Sequence, residues 1–283
     1  MSPYRTIHKI LTSKPTLEGA GVKLKRVFGY YEKSLLDPFL LLDNFGSDNP
    51  DDYLAGFPWH PHRGIETVTY MIDGKVEHGD SLGNKGVIFS GDVQWMTAGS
   101  GIIHQEMPHR FEGTMRGFQL WVNLPQSHKM MEPRYRDVKK ETIPEFSPDP
   151  NVKIKIIAGQ INGAKGPVQD LIVDTEYFDI KISANSEFEM NVNKDYKMFA
   201  FVFQGSGYFE PDKNNLINAD QLVILENGEK IKISTAKEAV RFLFVAGKPL
   251  NEPIAWRGPI VMNSDEELAV AFQEYRNGTF IKT

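Results

Sequence analysis

Apolar and polar residues alternate with a period of two along most of this chain, the spacing of a strand with one buried face. The pattern predicts strands at GIETVTYMI (64–72), GVIFS (86–90), DVQWMTA (92–98) and MRGFQLWVNL (115–124). A second set follows at VKIKIIAG (152–159), YFDIKIS (177–183), KMFAFVFQG (197–205), QLVILENG (221–228), EKIKIS (229–234) and VRFLFVAG (240–247). Glycine-bearing turns at 73–74, 90–91, 204–207 and 227–228 punctuate both sets, as hairpins require. The clearest helical spacing comes late. Ser264 and Glu267 form a capping box, Leu268, Ala271, Phe272 and Tyr275 share one face, and Gly278 suits the C-terminal cap. A terminal helix beside so many strands is expected to cover a sheet or pack between domains, with no catalytic part.

Short strands joined by glycine turns predict an all-β protein of sandwiches or barrels. No long amphipathic helices alternate with the strands, which disfavours an α/β fold. The proline-rich run IPEFSPDPN (143–151) separates the two strand sets and reads as a boundary. The expected division is therefore residues 1–142 and residues 143–283, each large enough for its own core.

Composition removes whole classes of chemistry. The chain has no cysteine, so it can build no disulfide, no thiolate-held zinc or iron–sulfur site and no thiol nucleophile. All seven histidines fall within residues 1–128, which confines imidazole chemistry to the first half. The net charge of −5 is evenly spread, with 12 basic and 14 acidic side chains up to residue 128 and 20 and 23 beyond it. Nucleic-acid binding wants a concentrated basic face, so direct contact with DNA or RNA is not expected. No apolar run approaches a membrane span and the N-terminus lacks a signal-peptide pattern. A cytoplasmic location is the expectation.

Two short stretches concentrate metal-ligating residue types: FPWHPHRGIETV (57–68) and GSGIIHQEMP (99–108). On an extended strand His60 and His62 share one face, and His104 and Glu106 share another. Side by side, the two strands would converge three imidazoles and a carboxylate on one interior, where such groups need a common partner. A divalent metal is the simplest one, and this donor set suits iron, manganese, nickel, copper or zinc. Glu66 has the parity of His60 and His62, so spacing alone does not choose between Glu66 and Glu106. Arg63 has the opposite parity and should face away, toward an acidic neighbour. Phe57, Trp59, Trp95 and Met107 are near enough in sequence to line an apolar pocket, although a core role suits each equally. His78, in the polar run DGKVEHGDS, reads as a surface turn residue, and His8, His109 and His128 as structural or solvent-facing.

These stretches carry a resemblance. FPWHPHRGIETVTY (57–70) and GDVQWMTAGSGIIHQEMP (91–108) strongly resemble the pirin family of bicupins. LDPFLLLDNFG (36–46), RFLFVAGKPLNEPIAWRGPIVMN (241–263) and YRNGTF (275–280) extend the likeness over essentially the whole chain. The resemblance implies two tandem double-stranded β-helix, RmlC-like jelly-roll barrels with a short C-terminal helix. It also implies one metal per chain, expected to be Fe(2+), held by His60, His62, His104 and Glu106 in the first cupin. That leaves Glu66 as a pocket or supporting residue. The second cupin, with Phe, Met and Val at 185–209 where ligands would be wanted, is expected to be metal-free.

The resemblance further implies quercetin 2,3-dioxygenase activity, with a flavonol and O2 as substrates. Glu106 is the candidate base where its coordination loosens, with Glu66 as the fallback. The alternative is an iron-dependent, redox-sensing binding protein or transcriptional cofactor acting through a regulatory protein partner. A cupin isomerase, or another enzyme of small molecules, is a third reading.

Overall fold

The computed structural model describes residues 3–282. Contacts group the chain into two compact units. One consists of Met1–Ser13, Ser34–Pro38 and Glu141–Pro249, the other of Lys14–Lys33, Phe39–Lys140 and Leu250–Thr283. The first strand, Ile7–Thr12, thus belongs with the C-terminal strands and pairs antiparallel with Gln221–Leu225. The last residues belong with the histidine-bearing strands.

The histidine-bearing unit holds two main sheets. In the seven-stranded sheet the order is Arg134–Val138, Val93–Thr97, Ile65–Asp73, Met115–Asn123, Phe39–Ser47, Val22–Phe28 and Lys14–Glu18. In the four-stranded sheet it is Phe57–His62, Ile102–Pro108, Lys75–Asp80 and Lys85–Phe89. The other unit is built on a ten-stranded sheet whose main path runs from Ile7–Thr12 to the two-residue strand Glu145–Phe146. Its core draws on alternate residues of several strands, including Ile154, Ile156, Phe178, Ile180, Phe242 and Phe244. Phe178 and Phe244 stack with centroids 5.7 Å apart. Burying each such side chain contributes about 1.5–3 kcal/mol.

The expectation of two closed barrels needs correction: the chain forms two cupin-like β-sheet domains whose sheets remain open. Each hydrogen-bonded path runs from one edge strand to another, and among the described residues no strand joins its ends. The edge sequences supply a physical reason. Phe57–His62 carries Pro58 and Pro61, which have no N–H to give, and Lys14–Glu18 carries Pro15. Arg134–Val138 presents Arg134 and Arg136, and charge on an edge strand opposes further pairing. The strands themselves are legible in sequence because apolar faces meet through side chains. Ladder closure is a separate property that alternation does not report.

The predicted helix forms over Asp265–Arg276. The Ser264 hydroxyl accepts from the Glu267 N–H at 3.2 Å, and the Glu267 carboxylate accepts from the Ser264 N–H at 3.2 Å. Leu268 and Ala271 are buried with Ile260, Met262 and Phe280. The helix therefore covers the small hairpin of Ala255–Arg257 and Ile260–Met262.

Candidate metal centre

The site begins with an edge strand. Two prolines in FPWHPH remove two N–H groups from the Phe57–His62 strand, which lies at the edge of its sheet and pairs with Ile102–Pro108. The register sets His104 opposite His60, so the parity argument made for each strand also holds across the pair. One ligand atom from each of His60, His62 and His104 lies within 4.8 Å of the others. Their rings pack at centroid distances of 4.4–5.0 Å.

Hydrogen bonding defines the tautomers. The Nδ1 of His60 lies 2.8 Å from the Pro58 carbonyl oxygen, and that of His62 lies 3.2 Å from the Pro259 carbonyl oxygen. A carbonyl can only accept, so both Nδ1 atoms carry hydrogen and both Nε2 atoms carry lone pairs when the rings are neutral. Those two Nε2 atoms face each other at 3.1 Å. Burial pulls the pKa of His60 down, and burial with the neighbouring imidazoles pulls His62 and His104 well below the usual histidine value. Neutral rings leave opposed lone pairs with no proton between them. His104 is buried with neither ring nitrogen hydrogen-bonded. A cation shared by the three rings answers both deficits, so the residues fit a divalent metal.

Glu106 is buried and lines the same cavity. Its Oε1 accepts from the Thr69 hydroxyl at 3.1 Å. Burial raises its pKa to about 7, against the opposing effect of that hydrogen bond. It lies outside the compact set of three histidine nitrogens. Glu66 is fully buried, accepts from the Thr97 hydroxyl at 2.6 Å, and is raised in pKa chiefly by burial. It is not among the residues that line the cavity.

The cavity encloses about 670 Å³, within the roughly 300–1,000 Å³ typical of small-molecule sites. His60, His62 and Glu106 line it together with apolar side chains such as Leu24, Phe45 and Phe57. Arg26 adds a charged element, forked onto Asp43 through two hydrogen bonds of 2.9 Å and paired with Glu18. Of the four residues expected near the pocket, Phe57 lines it. Trp95 is in the core, Trp59 is half exposed, and Met107 is not a lining residue.

Sequence reasoning missed two tryptophans and a carbonyl. Trp121 packs edge-on to His62 at 5.0 Å, and Trp256 lies 5.9 Å from Trp121. Trp256 and Pro259 come from the C-terminal segment of the same compact unit. Trp256 stands in a stretch that carried the resemblance, but its spacing from the histidines gave no local signal. Arg63 faces away from the histidines, as expected, and meets Glu274 at 2.7 Å.

His78 requires a correction. It lies in the strand Lys75–Asp80 and is buried, with register partners Glu106 and Gly86. The absence of a side chain at Gly86 makes room for its ring. Val76, His78 and Asp80 all turn inward on this strand. Two polar residues on the buried face hid the alternation. His8 and His128 are exposed, and His109 is partly exposed beside Glu77.

Comparison with known proteins agrees with this architecture. A family model described as Pirin matches residues 21–122, and a second, the Pirin C-terminal cupin domain, matches residues 177–281. A Pseudomonas aeruginosa protein provisionally named a quercetin 2,3-dioxygenase is 44% identical over 284 residues, covering 98% of this chain and 99% of that protein. A pirin-like protein of Caulobacter vibrioides is 43% identical over 279 residues, covering 98% and 100% respectively. The crystal structure of a quercetin 2,3-dioxygenase from Acinetobacter baumannii superposes with a TM-score of 0.91 at 32% identity, covering 98% of both chains. No helix among the described residues is long and apolar enough to cross a membrane.

Proposed function

The chain belongs to the pirin family, and we propose that it is a metal-dependent quercetin 2,3-dioxygenase that opens the flavonol heterocycle with O2. The observation that carries this reading is the pair of opposed Nε2 atoms on His60 and His62, with the unpartnered His104 beside them, at an aromatic-walled cavity. His60, His62 and His104 are the metal ligands in this reading, with Glu106 as the fourth. Iron(II) is the expected ion, and nickel, copper, manganese or zinc can occupy the same donors. When bound, the ion supplies a Lewis acid for the substrate oxygen and a path for electrons to O2.

The protein's own part is positioning and proton handling. The Pro58 and Pro259 carbonyls fix two imidazoles so that their lone pairs face one point. Glu106, whose buried carboxyl is raised to about 7 where no cation is beside it, would take the proton of the flavonol 3-hydroxyl on a carboxylate oxygen once its coordination to the ion loosens. Thr69 holds that carboxylate in place. Trp121 and Trp256 offer planar faces to an aromatic ligand, and the apolar lining limits water at the reacting atoms. Glu66 carries no step in this reading, because it does not line the cavity.

The test is metal analysis of purified protein, followed by an anaerobic-to-aerobic assay with quercetin. Loss of the flavonol's long-wavelength absorbance with release of carbon monoxide is the expected result. No turnover by the iron-, copper-, nickel- or manganese-loaded protein overturns the dioxygenase reading and favours a metal-dependent binding protein with a regulatory partner.

A further inference from the structure

Four aromatic rings connect the histidine cluster to the exterior in single contacts. Trp121 packs against His62 at 5.0 Å between centroids, Trp256 against Trp121 at 5.9 Å, Tyr30 against Trp256 at 5.6 Å, and Tyr31 against Tyr30 at 5.8 Å. Tyr30 is 51% exposed and Tyr31 is 94% exposed. Trp121, Trp256 and Tyr30 also line the cavity, but Tyr31 does not. Tyr31 therefore ends the contiguous run on the solvent side, outside the cavity wall.

We propose that Tyr31, Tyr30, Trp256 and Trp121 form a route for single electrons between solvent and the metal site. Tunnelling falls exponentially with distance, so a series of ring-to-ring hops outruns one long jump. Tyrosine and tryptophan are among the side chains most readily oxidised by one electron, and the chain contains no cysteine to serve instead. The order of the rings also suits the proton. Trp256 donates its indole N–H to the Gly258 carbonyl oxygen at 2.7 Å. A carbonyl is too weak a base to take that proton, so a hole on Trp256 stays mobile. The Tyr31 phenol is open to water and can release its proton as the electron leaves, which brings the hole to rest there. Lys33 lies 3.6 Å over the Tyr30 ring, and a cation on the π face makes that ring harder to oxidise. Tyr31 is therefore the terminus and Tyr30 the relay.

The chemistry protects the site when reduced oxygen is not used on substrate. Peroxide takes two electrons and two protons to give two waters. One electron comes from ferrous iron, one electron and one proton come from Tyr31, and the second proton comes from solvent. Two soluble thiols then restore the protein: one returns a hydrogen atom to the Tyr31 phenoxyl, the other returns an electron to ferric iron and releases its proton, and the two sulfurs leave joined as a disulfide. The proposal rests on the histidine metal site and makes no use of a flavonol, so it can fail or stand independently of the dioxygenase reading.

The experiment mixes iron-loaded protein with hydrogen peroxide in the absence of flavonol. Radicals are read by freeze-quench electron paramagnetic resonance, and oxidised residues by peptide mass spectrometry. A tyrosyl signal is expected in the wild type, with oxidation centred on Tyr31. Tyr31→Phe should move the signal to Tyr30. Trp256→Leu should reduce it to the level of metal-free protein, with iron content unchanged. Tyr30→Leu, at an exposed position, should interrupt the route in the same way if Trp256→Leu fails to fold. Absence of any aromatic radical in the iron-loaded wild type overturns the proposal. So does an undiminished Tyr31 signal in Tyr30→Leu or in metal-free protein. Failure of the wild type to take up iron overturns the route and the metal assignment together, whereas iron uptake without a radical overturns the route alone.

Discussion

Arg63 and Glu274 meet at 2.7 Å, joining the residue that follows His62 to the C-terminal helix. Arg63 is almost fully buried, its guanidinium also donates to the Phe280 carbonyl at 2.8 Å, and it lies 4.2 Å from the Phe280 ring. The helix thereby helps hold the segment that places Pro259 against His62. Glu274→Ala should leave a buried guanidinium without its counter-ion. A fully buried pair costs about 3–5 kcal/mol to break, and the partial exposure of Glu274 lowers the expected loss to about 1–2 kcal/mol. A fall in the urea midpoint at constant m-value measures it.

His104→Ala removes the one histidine of the three-ring cluster whose ring nitrogens make no hydrogen bond. Metal affinity should fall by more than the roughly 10–100-fold that loss of a supporting group costs, while the circular dichroism of the sheets is retained. Unchanged metal content in His104→Ala, or in His60→Ala, sinks the ligand assignment.

Gly64 adopts φ +77°, and a Cβ there would collide with the Val261 carbonyl oxygen. That carbonyl also accepts from the buried Lys129 ammonium at 3.1 Å, which bonds the Gly64 carbonyl at 2.9 Å as well. Gly64→Ala combines a disfavoured backbone with a clash and should cost at least about 2–3 kcal/mol. Thermal unfolding followed by circular dichroism reads the loss directly.

In the other unit, burial and the neighbouring Asp174 push the Glu176 carboxyl up to about 7. The folded state then holds its proton more tightly than the unfolded chain. Its contribution is fully present below the unfolded pKa and is lost as pH rises through about 7. The wild type should lose about 1–3 kcal/mol of stability between the ordinary glutamate range and neutrality. Glu176→Gln should flatten that dependence in denaturant titrations taken across the same window. A parallel pH profile in the variant contradicts the assignment.

Much of the metal centre was legible because a strand has only two faces. Placing His60 with His62, and His104 with Glu106, on shared strand faces needed nothing beyond parity, whereas the preference for Glu106 over Glu66 as a ligand came from the resemblance alone. The structure adds the cross-strand register that sets His104 against His60. Trp256 and the Pro259 carbonyl were not legible, because no periodicity links a position to a partner about 200 residues away. His78 failed for the converse reason: a buried imidazole on a polar strand carries the same pattern as an exposed turn. Alternation also predicted the sheets themselves, but ladder closure depends on what the edges refuse to pair with.

Pro58 and Pro61 have a consequence beyond shaping the edge. Two of the six positions in the metal-bearing strand can offer no N–H to a newcomer. A foreign strand approaching this edge would find the ladder incomplete. The prolines interleaved with the histidines thus thin the ladder this rim can offer, and the centre sits at the edge of a sheet that is a poor template for the polymerisation bare rims promote.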